Sequence, residues 1–393
     1  MGGMGGMGGM GGMGGMGGMG GLNRVASAGG ILRVPGADIA PTLLTSRDGI
    51  VGTFVGVIPG VKPLDQVFSE PIALWADWVR TTIIEAALLE RLAVHPYMAP
   101  EVGGDDQPER PQERAAIVSH LSVGEAGQTD MPPNVVYKPL ARIIRPTLQD
   151  FETQTSLVAN YSDLRADRMG EIMAQLGFPT PYFASIAGLQ SEMHAKTIEL
   201  LGVVQLVVAK VAMGVKHALV CARPDVFSPQ IAPILETPGH GTLPSAHAAE
   251  AFATAMVLAR LIDPNIKRGQ LVEMLMAQAA RIAINRTVAG VHFPVDSVAG
   301  ASLGLMIGDY ITARATAATT ETIVALTTFD GRGIGAQDFD YDELITGVKR
   351  KSWSEDLDFV TLDRSGGAKI GKSDVCDPLA WLWIRAQAEW PTI

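Results

Sequence analysis

Three short stretches between Lys216 and Asp296 gather cationic and imidazole side chains at spacings suited to holding a tetrahedral anion. The first contains Lys216 and Arg223, seven residues apart and therefore on one helical face two turns from each other. Pro224 disfavours helix at Arg223, so that guanidinium is expected to emerge at a helix end. The second is Pro244-Ser245-Ala246-His247, in which Ser245 is a good N-cap and the following backbone N–H groups face an anion. The third supplies Arg286, His292 and Asp296. One ammonium with two planar guanidinium forks suits an oxyanion such as phosphate or vanadate.

His292 lies in the turn Gly290-Val291-His292-Phe293-Pro294. Asp296 is near enough in sequence to orient one ring nitrogen and leave the other as ligand or nucleophile. His247 is then available as general acid or base. The net charge of −10 argues against nucleic acid and against an anionic membrane surface as partners, so a local cluster of cations reads as a site.

At these residues the chain resembles the superfamily of vanadium-dependent haloperoxidases and type 2 phosphatidic acid phosphatases. Its signature is Lys-x6-Arg-Pro, Pro-Ser-Gly-His and Ser-Arg-x5-His-x3-Asp, and the chain carries Lys216 to Pro224, Pro244 to His247 and Asn285 to Asp296 in the same order and spacing. Two positions depart: Ala246 stands in place of the glycine and Asn285 in place of the serine. The resemblance implies that Lys216, Arg223, Ser245, the N–H of Ala246 and Arg286 hold the oxyanion. It also makes His292 the residue that bonds vanadium or attacks phosphorus, with His247 as acid-base residue. His240, seven residues before His247, falls where bromoperoxidases of this family carry a second active-site histidine and fungal chloroperoxidases a phenylalanine.

On that resemblance the expected fold is all-α, a helical bundle of the vanadium haloperoxidase and acid phosphatase type, with irregular N- and C-terminal extensions. The expected cofactor is vanadate, with phosphate occupying the site in the apo form. The expected activity is oxidation of halide, bromide above all, by hydrogen peroxide to hypohalous acid. His240, His247, His292 and Asp296 would be its catalytic group. The alternative is a soluble acid phosphatase that uses a phosphohistidine intermediate, since the same pocket fits phosphate.

The elements that must position these residues follow from pattern. Apolar positions Ile72, Trp75, Val79 and Ile83 mark a helix, and residues 99–134, rich in Pro, Gly and charge, read as a long loop. Helical patterning continues from Leu157 through the apolar run ending at Lys216. It resumes over Ser245 to Leu261 and Leu271 to Ile284, and again from Asp296 past Tyr310. Leu200 to Val215 is interrupted by Gln205 and Lys210 and is short for a span of about 20 residues. The expectation is therefore a soluble protein without a membrane span or secretory signal, with the cytoplasm favoured and homo-oligomers as the assembly.

Residues 1–22, built on seven Met-Gly-Gly triplets, form a low-complexity tail whose methionines could aid an oligomer. Residues 23–134 are expected to pack on a catalytic bundle at 135–325, followed by an extension at 326–393. Two cysteines, Cys221 and Cys376, give no disulfide framework. Gly366 to Ser373 matches the P-loop pattern, but too little chain follows it to build a nucleotide-binding fold. His95, His120, His194 and His217 match no motif and read as surface or satisfied histidines.

Overall fold

The computed structural model describes residues 72–104, 107–123, 134–264, 269–342 and 359–391. The Met-Gly-Gly tail and the oligomer contact expected of it lie outside the described residues. In chain order the elements are α1 (Asp77–Leu89), β1 (Leu92–Ala99), β2 (Val102–Gly104), β3 (Gln107–Arg110), β4 (Glu113–Val123) and β5 (Val135–Ile144). Helices α2 (Leu148–Asn160), α3 (Arg165–Ala174), α4 (Thr180–Ala187), α5 (Ala195–Leu219) and the single turn α6 (Pro224–Phe227) come next. The chain continues with α7 (Ala246–Ile262), α8 (Gly269–Val288), α9 (Pro294–Thr316), β6 (Thr322–Asp330), β7 (Val360–Ile370) and α10 (Asp377–Gln387).

The all-α expectation is corrected by a five-stranded mixed sheet in the order β1-β4-β5-β6-β7, with β2 and β3 as a separate antiparallel pair. Only β5 and β6 run parallel, Ala141 opposite Thr327 and Ile144 opposite Asp330. The stretch read as a loop hides its strands because Pro, Gly and charge flank them. Ala115, Ala116 and Val118 within β4 are all fully buried between β1 and β5. The P-loop pattern is also resolved: Gly366 and Gly367 lie inside β7, at the irregularity where its register against β6 shifts, rather than in a loop ahead of a helix.

Helices α5, α7, α8 and α9 lie where the periodicity predicts helix, whereas Ile72 and Trp75 of the first predicted stripe precede α1. Helix α5 is buried along most of its length and packs on α7, α1, α10 and β1. Helix α9 lies closest to α7, and its Gly300, Gly304 and Gly308 recur at one face. A Cβ on Gly300 would stand 2.5 Å from the Ser245 carbonyl oxygen, and one on Gly304 would collide with the backbone of Ala249. This close approach fixes the start of α7, which carries His247, against the start of α9, which carries Asp296.

The unassigned histidines have structural partners or exposure. His120 is fully buried, its ring nitrogens 3.0 Å from the Tyr310 hydroxyl and 3.1 Å from Asp374 Oδ1. His194 is buried against Trp390, with ring centroids 4.4 Å apart. Cys221 and Cys376 are both free and buried.

Candidate active site

Each part of the signature reaches one place from a different helix end. Lys216 lies in the last turn of α5, and its Nζ donates to the carbonyls of Gly241 (2.9 Å) and Thr242 (2.8 Å). Arg223 precedes α6 in extended conformation, as the following proline requires. Its Nε donates to the His240 carbonyl at 3.1 Å and its Nη1 to the Val291 carbonyl at 2.6 Å. Lys216 and Arg223 therefore pin the 239–244 loop, and Arg223 ties that loop to the turn bearing His292.

His292 is 4% exposed, and its Nδ1 lies 2.9 Å from Asp296 Oδ2 and 3.2 Å from Thr242 Oγ1. Asp296 Oδ2 also accepts from the Phe293 N–H at 2.9 Å and from the Thr242 hydroxyl. The carboxylate thus takes the proton-bearing Nδ1 side of the ring, so the lone pair is on Nε2, 3.1 Å from Arg223 Nη1. Below the turn, Phe293 packs between Phe151 and Phe227 with ring centroids 5.0 and 5.6 Å away. Gln154 Oε1 receives the Val295 N–H at 3.1 Å and steadies the first turn of α9.

Ser245 caps α7, its hydroxyl accepting from the Ala248 N–H at 3.4 Å while its own N–H donates to the Asp296 carbonyl at 2.9 Å. The N–H groups of Ala246 and His247 belong to the helix start, where no carbonyl of the same helix reaches them. Ala246 is not among the residues with positive φ, so its methyl group is compatible with this cap. Arg286, 1% exposed near the end of α8, donates through Nη2 to the Ile172 carbonyl at 3.2 Å. The Gln175 backbone faces the His247 ring and favours its protonated form. His240 Nδ1 is 3.1 Å from Arg223 Nη2.

Among the described residues, the buried Nε of Arg286 and Nε2 of His240 have no hydrogen-bond partner, which suits donors reserved for an oxyanion. The residues present therefore fit phosphate or vanadate equally.

Electrostatics follow from burial amid like charge. His292 is held well below the usual histidine range by desolvation, and then by Arg223 and Lys216, so its ring is neutral. His247 is lowered by burial and by Arg286. His240 falls to about 4 through burial and the charge of Lys216. Asp296 is pushed up to about 6 by burial, opposed by the Thr242 hydrogen bond and by Lys216.

Glu250, one turn along α7 from His247, is pushed up to about 8 by burial, with Lys216 opposing. Its folded state favours the protonated carboxyl, so stability is lost as pH rises from the ordinary carboxyl range through about 8. Glu250→Gln should flatten that fall, which the rise from 4.5 to about 8 puts on the order of 4 kcal/mol at pH 8. Urea unfolding at pH 5 and pH 8 measures it, and parallel pH dependences of the two proteins would refute the assignment.

The sequence pattern missed the supports. Thr242, which bonds both His292 and Asp296, sits between two signature parts and carries no spacing signal of its own. Gln154, Ile172 and Gln175 come from α2 and the end of α3, far from the signature in sequence.

Residues 198–318 match the PAP2 superfamily. This stretch is a PAP2 superfamily domain. Decaprenylphosphoryl-5-phosphoribose phosphatase of Mycobacterium tuberculosis, in strains CDC 1551 / Oshkosh and ATCC 25618 / H37Rv, is 30% identical over 98 residues. That alignment covers 25% of this chain and 50% of each relative, so the chain spans about half the length of the curated relatives it matches. A solved transmembrane PAP2 type phosphatidylglycerolphosphate phosphatase from Bacillus subtilis is similar at 20% identity with a TM-score of 0.34, covering 41% of this chain and 82% of that one.

These findings correct two expectations. The curated relatives carry the name of a phosphatase, which does not support the expected oxidoreductase that consumes hydrogen peroxide and halide. The expected absence of a membrane span, and with it the soluble, cytoplasmic assignment, is corrected as well. Residues 195–227 contain an 18-residue window with a mean hydropathy of 1.9, long and apolar enough by length and composition to cross a bilayer. The interruptions at Gln205 and Lys210 do not break the helix, and 67% of its apolar window is buried inside this fold.

Proposed function

We propose that the PAP2 domain hydrolyses phosphomonoesters through a phosphohistidine at His292. The observation that carries this reading is the geometry of His292: Asp296 Oδ2 lies 2.9 Å from Nδ1, which leaves Nε2 facing the Arg223 guanidinium as the nucleophile. The names of the curated relatives support a phosphatase, and the donor set supports the anion.

In the first half-reaction Nε2 bonds phosphorus and the bond from phosphorus to the leaving oxygen breaks. Lys216, Arg223, Arg286 and the first N–H groups of α7 hold the equatorial oxygens, whose charge grows in the transition state. His247 gives its ring proton to the departing alkoxide. The charge of the bound phosphoryl group offsets the neighbouring cations that depress this histidine, and so favours its protonated form. In the second half-reaction neutral His247 takes a proton from water, the water oxygen bonds phosphorus, and the bond from Nε2 to phosphorus breaks, releasing inorganic phosphate. Vanadate, expected from the resemblance as a cofactor, meets the same donors and enters this proposal as a phosphate mimic that blocks the site.

The test is hydrolysis of a panel of phosphomonoesters by the full-length protein, with and without vanadate, together with acid-labile labelling from a ³²P substrate. Turnover with a labelled histidine supports the reading, whereas no hydrolysis and no label across the panel would overturn it.

His240 has a narrower part. Its Nδ1 lies 3.1 Å from both Arg223 Nη2 and the Gly241 carbonyl, and in the tautomer whose Nδ1 accepts from Arg223 the unpartnered Nε2 carries the proton and donates to a phosphoryl oxygen. His240→Ala is expected to raise the inhibition constant of inorganic phosphate about tenfold, one neutral hydrogen bond in a buried site. Competition kinetics give the number, and an unchanged constant would assign His240 to the loop alone.

A further inference from the structure

Asn285, the residue that departs from the signature serine, is fully buried and has every side-chain polar atom engaged. Its Nδ2 donates to Gln175 Oε1 at 2.9 Å and to Glu171 Oε2 at 3.2 Å, and its Oδ1 accepts from Arg168 Nη1 at 3.0 Å. All three partners lie on α3 or its C-cap, so one amide side chain ties the end of α3 to α8. Arg281 on α8 adds a second tie, its Nε 2.8 Å from Glu171 Oε2, but that pair is partly exposed and contributes little.

The same last turn of α3 touches the site twice. The Ile172 carbonyl receives Arg286 Nη2 at 3.2 Å, and the Gln175 backbone faces the His247 ring and favours its protonated form. Among the described residues Arg286 has no other hydrogen-bond partner and its buried Nε has none, so this carbonyl sets the direction of the guanidinium. Helix α3 lies upstream of the matched PAP2 residues 198–318, so the orientation of two signature side chains rests on a segment outside the match.

We propose that Asn285 is a positioning residue: by docking the last turn of α3 on α8 it places the backbone groups that orient Arg286 and His247. Its catalytic consequence rests on the phosphatase reading, whereas its structural consequence does not. A serine at this position is too short to reach Gln175 and Glu171 together, so an asparagine is what this docking requires.

The test exchanges donor and acceptor. Asn285→Asp keeps the acceptor for Arg168 but sets a carboxylate against Glu171 and Gln175 Oε1. Glu171→Gln then supplies a donor in its place. Gln175 has an unpartnered buried Nε2 that an amide rotation turns towards position 285.

The N285D variant is expected to lose about 30-fold in kcat/KM for an alkyl phosphomonoester, the size of effect that a small misplacement of catalytic groups produces. The N285D/E171Q pair should return to within about threefold of the parent. With p-nitrophenyl phosphate, whose leaving group needs no proton, the N285D loss in kcat/KM should shrink to that from Arg286 alone. A spectrum of ¹⁵N-histidine-labelled protein, with His247 assigned from H247A, reads the ring N–H independently of turnover. That signal should be slowly exchanging in the parent, lost in N285D and regained in the pair.

An unchanged His247 signal and unchanged kcat/KM in N285D would overturn the proposal, as would a folded N285D/E171Q protein that recovers neither. If N285D does not fold, Gln175→Met keeps the volume and removes one acceptor, and the same signal and rates decide. A parent without phosphatase activity overturns the functional reading, while the NMR comparison still judges Asn285.

Discussion

His292→Ala is expected to abolish the proposed phosphomonoester hydrolysis, with kcat/KM lower by about 10⁵-fold, because it removes the Nε2 that bonds phosphorus in this mechanism. Lys216, Arg223 and Arg286 are cationic donors, and His247 faces the Gln175 backbone through its ring. The loss belongs to chemistry rather than folding. Asp296 Oδ2 keeps the Phe293 N–H and the Thr242 hydroxyl when the imidazole is removed, so its carboxylate is not left without donors. Arg223 likewise keeps the Val291 and His240 carbonyls. The variant should therefore retain the helical circular dichroism of the parent and bind inorganic phosphate within about tenfold of its affinity, since only one neutral contact is lost. Chase of ³²P from a labelled substrate checks the central point, and an acid-labile label of parental yield in H292A would move the nucleophile elsewhere.

The site was legible in the sequence to the extent that it is built from helix ends. Lys216 before a helix break, Arg223 before Pro224, Ser245 as a cap and His292 with Asp296 around the start of α9 are local features whose spacing follows from helix geometry. What holds them is not local. Thr242 and Gln175 act through contacts with residues 50 or more positions away, and such pairs leave no periodicity to find. The sheet was lost for a related reason. β4 is flanked by residues that signal loop, and β6 pairs in parallel with β5 from the far side of helices α2 to α9, so its partner cannot be read from adjacent sequence. Asn285 shows the opposite case: a mismatch to a motif, visible in the sequence, whose meaning required the position of α3.

Replacing Asp296 separates orientation from charge, and both replacements should cost much of the rate. Its Oδ2 gathers His292 Nδ1, the Phe293 N–H and the Thr242 hydroxyl, while Oδ1 is buried without a partner. Asp296→Asn preserves the acceptor if the amide oxygen takes the Oδ2 place, so the ring keeps its tautomer but loses the negative charge that stabilises the positively charged phosphohistidine ring. A fall of about 10²-fold in kcat is expected. Asp296→Ala removes orientation as well, and the fall should reach about 10³- to 10⁴-fold. The pH profile distinguishes this account from a merely structural one. Burial raises the folded carboxyl to about 6, so below that pH it protonates, ceases to accept from Nδ1–H as an anion, and activity falls as pH decreases through about 6. Asp296→Asn has no such proton to gain and should lose that acid limb, leaving a lower but flatter profile between pH 5 and 7. An acid limb that persists unchanged in the variant would assign it to another group, with His247 the next to examine, since it is the remaining proton carrier facing the leaving oxygen.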